Sequence, residues 1–187
     1  MQIAGNGQSI SRSSPFDRWR RSRPVDTPPG DPSEPGAPAA RIPPAPRWVP
    51  NLTVMTSDEI ERHLTGLFGR RGYTVWPVPS RGEVASVLLI CRGQQGVVVQ
   101  VRRWNAALGP EVIRAIVAAV DYHTGTLGRL GCSQVGGMVV STSTFNDEAS
   151  ALAAASGVLL WDRPELEAQI QADLARPSGA DSQGGRA

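Results

Sequence analysis

In this 187-residue chain, the residues best suited to binding or catalysis follow a run of valines at positions 97–99. Gln100 and Arg102 are two residues apart, so on a β-strand they point to the same face. Arg103 and Trp104 follow directly. A guanidinium stays charged and matches phosphate oxygens with a planar fork of donors, so the pattern favours phosphate recognition. Strand ends are also common places to change from apolar to charged residues, so a purely structural interpretation stays open.

Composition excludes several other kinds of site. All 19 basic residues are arginine, so no mechanism that needs a lysine amine can operate here. His63 and His123 stand alone within predicted helices, without a partner cysteine or histidine nearby in the sequence. Cys91 and Cys132 lack the paired spacing of a zinc site. We expect these two cysteines to pack as separate small hydrophobic residues in a reducing cytosol, and the protein to be cytoplasmic.

Proline and charge divide the chain into three parts. Residues 1–50 hold 11 of the 16 prolines and seven arginines against four acidic residues, which predicts a disordered, Arg/Pro-rich leader. Residues 51–174 are patterned as one folded domain, and residues 175–187 as a disordered tail. The chain has neither an apolar run of about 18 residues nor the apolar core of a secretory signal, so we expect no membrane association.

Capping signals and apolar periodicity predict nine elements in the order α-β-β-β-α-β-α-β-α. In chain order they are a helix capped by Thr56 and ended by Gly72, strands 73–78, 84–91 and 97–102, a helix from Pro110 to Thr124 or beyond, strand 135–141, helix 145–156 capped by Thr144, strand 158–161 and helix 163–174. A five-residue turn, 92–96, joins the second and third strands into a hairpin, and Pro77 predicts that the first strand lies at an edge. This order predicts an α/β fold, a mixed sheet with helices on both faces.

Four short segments carry a family resemblance, and they occur in the family's order over residues 55–170. The first segment is the helix with Ile60-Glu61, followed by Gly72-Tyr73. The second, Val99-Gln100-Val101-Arg102-Arg103-Trp104, is similar to the family signature V-Q-C-K-R-[YW]. The third, Gly137 to Phe145, is similar to G-x-x-V-[ST]-T-x-x-F, and the fourth, Ala155 to Asp162, is similar to A-x-x-x-[GN]-[IV]-x-L-x-[DN]. The chain resembles the Mrr-type domain of the type IV restriction endonucleases, in the PD-(D/E)xK nuclease superfamily. The resemblance implies a restriction-endonuclease-like fold and DNA as the ligand.

The resemblance also implies a site that departs from the family pattern. In the superfamily, an acidic residue on the first hairpin strand and a Q/E-x-K motif on the second hold a divalent metal and activate water. Counting back from Gln100 places the acidic position at Ser86, and the lysine position falls at Arg102. A hydroxyl is a poor Mg²⁺ ligand, and arginine cannot take a proton from water near neutral pH. We therefore expect Gln100, Arg102 and Ser86 at the catalytic positions, with catalysis impaired.

Other residues complete the expected site. Glu61 matches the acidic residue on the family's first helix, and Glu83 could partly restore a weak metal site three residues before Ser86. Mg²⁺ is the expected cofactor if the protein is active. Arg81 is expected to extend a phosphate-facing patch formed by Arg102 and Arg103.

Three functions remain open from the sequence. The first is a DNA-binding, catalytically impaired member of the family, held to DNA mainly through the phosphate backbone. The second is an active, divalent-metal-dependent DNA endonuclease of a restriction or defence system. The third is a non-catalytic scaffold that recruits a protein partner through residues 1–50. Family members commonly act as multimers, so a homo-oligomer is also an expectation.

Overall fold

The computed structural model describes residues 39–43, 50–78 and 86–175, which form one five-stranded mixed sheet with helices on both faces. The elements are α1 (Ser57–Arg70), β1 (Thr74–Val78), β2 (Ser86–Arg92), β3 (Gln95–Arg102), α2 (Glu111–Arg129), β4 (Gln134–Ser141), α3 (Asp147–Ser156), β5 (Leu159–Trp161) and α4 (Arg163–Leu174). Strands follow chain order across the sheet, antiparallel from β1 to β3 and parallel from β3 to β5. The predicted element order and α/β fold class are confirmed. Most of the predicted leader and nearly all of the tail lie outside the described residues.

Helix α1 begins at the predicted capping box. Thr56 Oγ1 accepts a hydrogen bond from the Glu59 amide at 3.3 Å, and the Glu59 carboxylate accepts one from the Thr56 amide at 2.7 Å. These bonds satisfy amides that no helical carbonyl can reach. They also hold the pKa of Glu59 below its ordinary value, because both the backbone and the side chain of Thr56 donate to its carboxylate.

Helix α3 begins two residues later than predicted. Asn146, not Thr144, is the N-cap, and its Oδ1 accepts from the Ala149 amide at 2.8 Å. The reason is a bridge to the preceding segment, in which Leu108 donates to the Thr144 carbonyl and accepts from the Asn146 amide. That bridge pairs Phe145 with Leu108, and Phe145 would be the first helical residue of a helix capped by Thr144, so the helix starts after Asn146 instead.

The hairpin between β2 and β3 has a two-residue turn instead of the predicted five-residue turn. Arg92 pairs with Gln95, and Gly93 adopts a positive φ of 58°, which a tight hairpin turn requires. A five-residue turn would pair position 91 with 97 and therefore 86 with 102. The observed register instead pairs Val87 with Gln100. This difference of one residue decides which face of the sheet each side chain occupies.

Each face of the sheet carries its own apolar core. The first core lies under α1 and α4, and its largest members include Ile60, Leu64, Phe68, Leu88, Val99, Met138, Trp161 and Leu166. The second core lies under α2 and α3, and includes Leu89, Val98, Ile113, Ile116, Val139 and Ala153. Strand β3 supplies alternate residues to the two cores, as the pleat of a strand buried on both faces dictates.

Part of the segment assigned to the leader lies against the domain, at residues 39–43. The Ala40 amide donates to the Val75 carbonyl of β1 at 2.7 Å, and the Ile42 side chain lies over Gly69 of α1, where a Cβ would collide with it. The contacts of the domain therefore include residues upstream of position 51, among them Ala40 and Ile42. Strand β1 is otherwise the edge of the sheet, as its proline predicts.

The two cysteines are not separate, contrary to the expectation. Cys91 at the end of β2 and Cys132 at the start of the segment leading into β4 form a disulfide, with Cα atoms 6.7 Å apart. The sheet brings them together because Cys91 pairs with Gly96, and the Cys132 side chain packs where Gly96 has no Cβ. The 41-residue separation in sequence hid this contact. No helix within the described ranges is long and apolar enough to cross a membrane.

Candidate nucleic-acid interface

The candidate site lies at the carboxyl end of β3, on the face covered by α2. Gln100 is only 7% exposed, and its neighbours in register are Val87 on β2 and Val139 on β4. Its side-chain carbonyl Oε1 has no hydrogen-bond partner among the residues that the structure describes. Buried polar atoms in proteins are nearly always paired, so this carbonyl marks an unusual position in an otherwise apolar face.

Ser86 does not join this site. Its partner across the hairpin is Val101, whose side chain belongs to the core under α1, so Ser86 faces the opposite side of the sheet from Gln100. The side chain that lies opposite Gln100 on the same face is that of Val87. The cause is the short hairpin turn, which moves the register by one residue from the expected one. The position across from Gln100 is therefore a valine, which offers no metal ligand.

Arg102 shares the face of Gln100 and is partly buried beside Ser141 of β4. Burial lowers the pKa of the Arg102 guanidinium, and the negative charge of Glu111 on α2 raises it. Glu111 is also held in place, because one of its carboxylate oxygens accepts a hydrogen bond from the Gly109 amide at 3.1 Å. Arginine remains ionised in proteins, so Arg102 contributes a positive charge that Glu111 partly offsets.

Arg103 and Trp104 follow β3 and are exposed, with 52% of Trp104 accessible to solvent. The backbone of Trp104 is fixed from both sides by Thr142. Its amide donates to Thr142 Oγ1 at 3.2 Å, and that hydroxyl is 3.3 Å from the Trp104 carbonyl, which accepts from it. Thr142 is buried, with 3% exposure, so the exposed tryptophan is anchored to the sheet.

Sequence analysis missed Arg163, the first residue of α4. Its Nε donates to the Thr142 carbonyl at 2.9 Å, and its amide donates to the Ser143 carbonyl at 3.1 Å. The guanidinium therefore lies at the carboxyl end of β4, next to the residue that anchors Trp104. The available signal was positional: residues that follow parallel strands gather at one edge of the sheet, and Arg163 comes directly after β5 and its cap residue.

The expected acidic residues are not brought to Gln100 within the described part of the chain. Glu61 lines a groove of about 600 Å³ together with residues 40–43 and Pro77, and its helix covers the face opposite to Gln100. Glu83 and Arg81 lie outside the described residues. Among the residues that the structure describes, no three His, Cys, Asp or Glu side chains are grouped so that they could hold a metal ion.

The described residues therefore do not fit a divalent metal. Mg²⁺ prefers oxygen ligands that include one or two carboxylates. Gln100 offers one neutral carbonyl, Val87 faces it with methyl groups, and Glu111 lies beside a guanidinium.

The fold and this site define a restriction-endonuclease-like α/β domain, and comparison with known proteins gives its family. Residues 52–170 match the Mrr_cat family model, a restriction endonuclease domain. This match covers more than half of the chain, so the chain belongs to that restriction endonuclease family, as the resemblance implies.

Two solved structures are similar to the chain. One is EndoMS in its apo form, at 13% identity and a TM-score of 0.43, covering 58% of this chain and 46% of that one. The other is the MspJI restriction endonuclease in complex with a 27-mer oligonucleotide, at 19% identity and a TM-score of 0.38, covering 60% of this chain and 29% of that one. The chain thus spans less than half the length of either structure. A comparison with curated proteins gives no match.

Proposed function

We propose that the protein binds DNA through the phosphate backbone with a restriction-endonuclease fold whose metal-dependent cleavage is impaired. The observation that carries this proposal is the pairing of Gln100 with Val87 on the face where the hairpin should supply an acidic ligand. Membership of a restriction endonuclease family supports DNA as the ligand. Mg²⁺ is the cofactor that an active member would use.

Impairment follows from the chemistry of the residues at the site. Hydrolysis of a phosphodiester needs a nucleophilic water, and a metal with carboxylate ligands would generate it. Gln100 is neutral, and Arg102 keeps its proton, so neither residue can activate water as a base. Among the described residues, Gln100, Arg102 and Arg103 can contact a phosphate, but none of these three can generate the attacking water.

Binding is assigned mainly to Arg103, with Arg102 in support. Arg103 is exposed, whereas Glu111 offsets part of the charge of the half-buried Arg102. Contacts to phosphate carry little sequence information and release counterions. The affinity should therefore fall steeply with salt and vary little with DNA sequence.

Two assays on the full chain test the proposal. In the first, supercoiled plasmid, methylated and unmethylated, is incubated with Mg²⁺ or Mn²⁺, and we expect no metal-dependent cleavage. Glu83→Ala and Glu61→Ala accompany the wild type. Cleavage that either substitution abolishes would show that acidic residues rebuild a metal site and would overturn the impairment.

The second assay measures duplex binding by fluorescence anisotropy across salt concentrations. Arg103→Ala should weaken binding several-fold and reduce the slope of log affinity against log salt by about 1, because one phosphate contact is lost. Arg114→Ala, which removes an exposed arginine on α2, is the matched control and should change neither quantity. Absence of duplex and single-strand binding would refute DNA binding and favour the scaffold function of the leader.

A further inference from the structure

An exposed tryptophan at the edge of the candidate site is unexplained by packing. Trp161 of β5 is 2% exposed and stacks on Phe68 with ring centroids 5.6 Å apart. Trp104, at the end of β3, leaves half of its surface in water. A large aromatic side chain contributes to stability mainly through burial, so the exposed indole points to a ligand and not to the core.

The backbone that carries the indole is hydrogen-bonded to the end of the sheet. The two hydrogen bonds between Thr142 and the Trp104 backbone tie it to the end of β4, and Thr142 itself donates its amide to the Arg102 carbonyl at 3.1 Å. A side chain presented from an anchored backbone loses less conformational freedom when it binds. This favours a binding surface over an accidental exposure.

Two arginines are close to Trp104, one in the sequence and one through Thr142. Arg103 is its neighbour in sequence and is exposed, and Arg163 is fixed by its Nε to the carbonyl of the same Thr142. Within the described part of the chain, the two terminal nitrogens of Arg163 make no hydrogen bond. They are therefore free to donate to the oxygens of a phosphate, with the geometry of a fork.

We propose that Trp104, Arg103 and Arg163 form a site for an unpaired nucleobase and its phosphates, so that the protein prefers single-stranded or locally unpaired DNA to intact duplex. This inference rests on the proposed function and names its substrate class. A base exposes its π-face to a side chain only when it is unstacked from its neighbours, as in a single strand. An aromatic ring with flanking arginines is the combination that binds such strands without reading their sequence.

The test compares two labelled DNAs of equal length, an oligothymidylate strand and a duplex, by fluorescence anisotropy with the full chain. Wild type should bind the single strand more tightly. Trp104→Ala should lower single-strand affinity about 5- to 100-fold, because one stacked base is lost, and duplex affinity less than about twofold. Trp104→Phe should restore most of the single-strand affinity.

The matched control is Tyr122→Ala, which removes a second exposed aromatic residue, 81% accessible, from α2. It should leave both affinities unchanged. Arg163→Gln should weaken binding to both DNAs and reduce the salt slope, because it removes a charge and not a stacking surface. Thermal unfolding of each variant verifies that the fold is retained.

The outcomes separate the two proposals. If wild type binds DNA but Trp104→Ala weakens both DNAs equally or neither, the stacking site is refuted while DNA binding stands. If wild type binds neither DNA, both proposals fail. If Trp104→Ala leaves both affinities unchanged but abolishes self-association in analytical ultracentrifugation, the indole is a subunit contact and the inference is overturned.

Discussion

The two faces of the sheet differ in the residues that they present at the carboxyl end of β3. Under α1 and α4, the sheet presents mainly apolar side chains, with the buried hydroxyl of Ser86 near the start of β2. Under α2 and α3, the face is equally apolar until the end of β3, where Gln100 and Arg102 replace valine. Because β3 serves both faces alternately, Gln100 and Arg102 at its carboxyl end carry the chemistry on one face, while Val99 and Val101 between and before them pack on the other. One strand can thus hold a core rigid and present a site at its end.

The largest effect on stability should come from the core under α1 and α4. Phe68 is fully buried and contacts both Trp161 and Tyr73, with ring centroids 5.6 and 6.0 Å away. Phe68→Ala should lower the free energy of unfolding by about 3–5 kcal/mol, since it removes a large apolar surface and leaves a cavity. Urea denaturation followed by circular dichroism measures this. A loss below about 1 kcal/mol would contradict the tight packing of Phe68 in the core under α1 and α4.

A smaller effect of opposite sign is expected at the site. Gln100→Met keeps the side-chain volume and removes the buried carbonyl that has no partner within the described ranges. The free energy of unfolding should stay unchanged or rise by about 1 kcal/mol, because an unsatisfied buried acceptor is destabilising. The same urea experiment tests this. A clear loss of stability would contradict this prediction, because it would show that the Gln100 carbonyl accepts a stabilising hydrogen bond.

The smallest expected effect is the dependence of stability on pH that arises from His63 on α1. Burial lowers the pKa of the half-buried His63 below its ordinary value of 6.5, the charge of Arg70 lowers it further, and Asp173 opposes them. The unfolded chain therefore binds this proton first as pH falls, so stability present above pH 6.5 is lost as pH drops through the lowered pKa of His63. The change should remain under about 1 kcal/mol because the imidazole is partly solvated.

Unfolding measured from about pH 7.5 to about pH 5, a range of about 2.5 units that includes the histidine reference pKa, tests this prediction. His63→Gln should flatten the pH dependence, and His123→Gln is the matched comparison, since burial also lowers the pKa of His123. If the free energy of unfolding of His63→Gln varies with pH as in the wild type, other groups cause the pH dependence.

Much of the fold could be predicted because its signals are local. Capping residues and apolar periodicity depend on neighbours within a turn of helix or a few residues of strand, so the element order was accessible. The register of the hairpin was not, because the sequence 92–96 fits both a two-residue and a five-residue turn, and only the pairing of whole strands decides between them. The observed two-residue turn pairs Ser86 with Val101 and so places it on the face opposite to Gln100. Long-range contacts, such as Cys91 with Cys132 or Arg163 with Thr142, leave no local trace.

The contact of residues 39–43 with the domain bears on how fragments of this protein behave. Pro43 lies over Gly66, Ile42 lies over Gly69, and the Pro43 carbonyl accepts from Arg70 Nη1 at 3.0 Å. A fragment that starts at residue 51 would uncover this pair of glycines and the outer hydrogen-bonding groups of β1. Open strand edges pair with other molecules, so such a fragment should aggregate. A truncation meant to remove the leader should therefore begin at residue 39, so that a loss of solubility is not mistaken for a loss of binding.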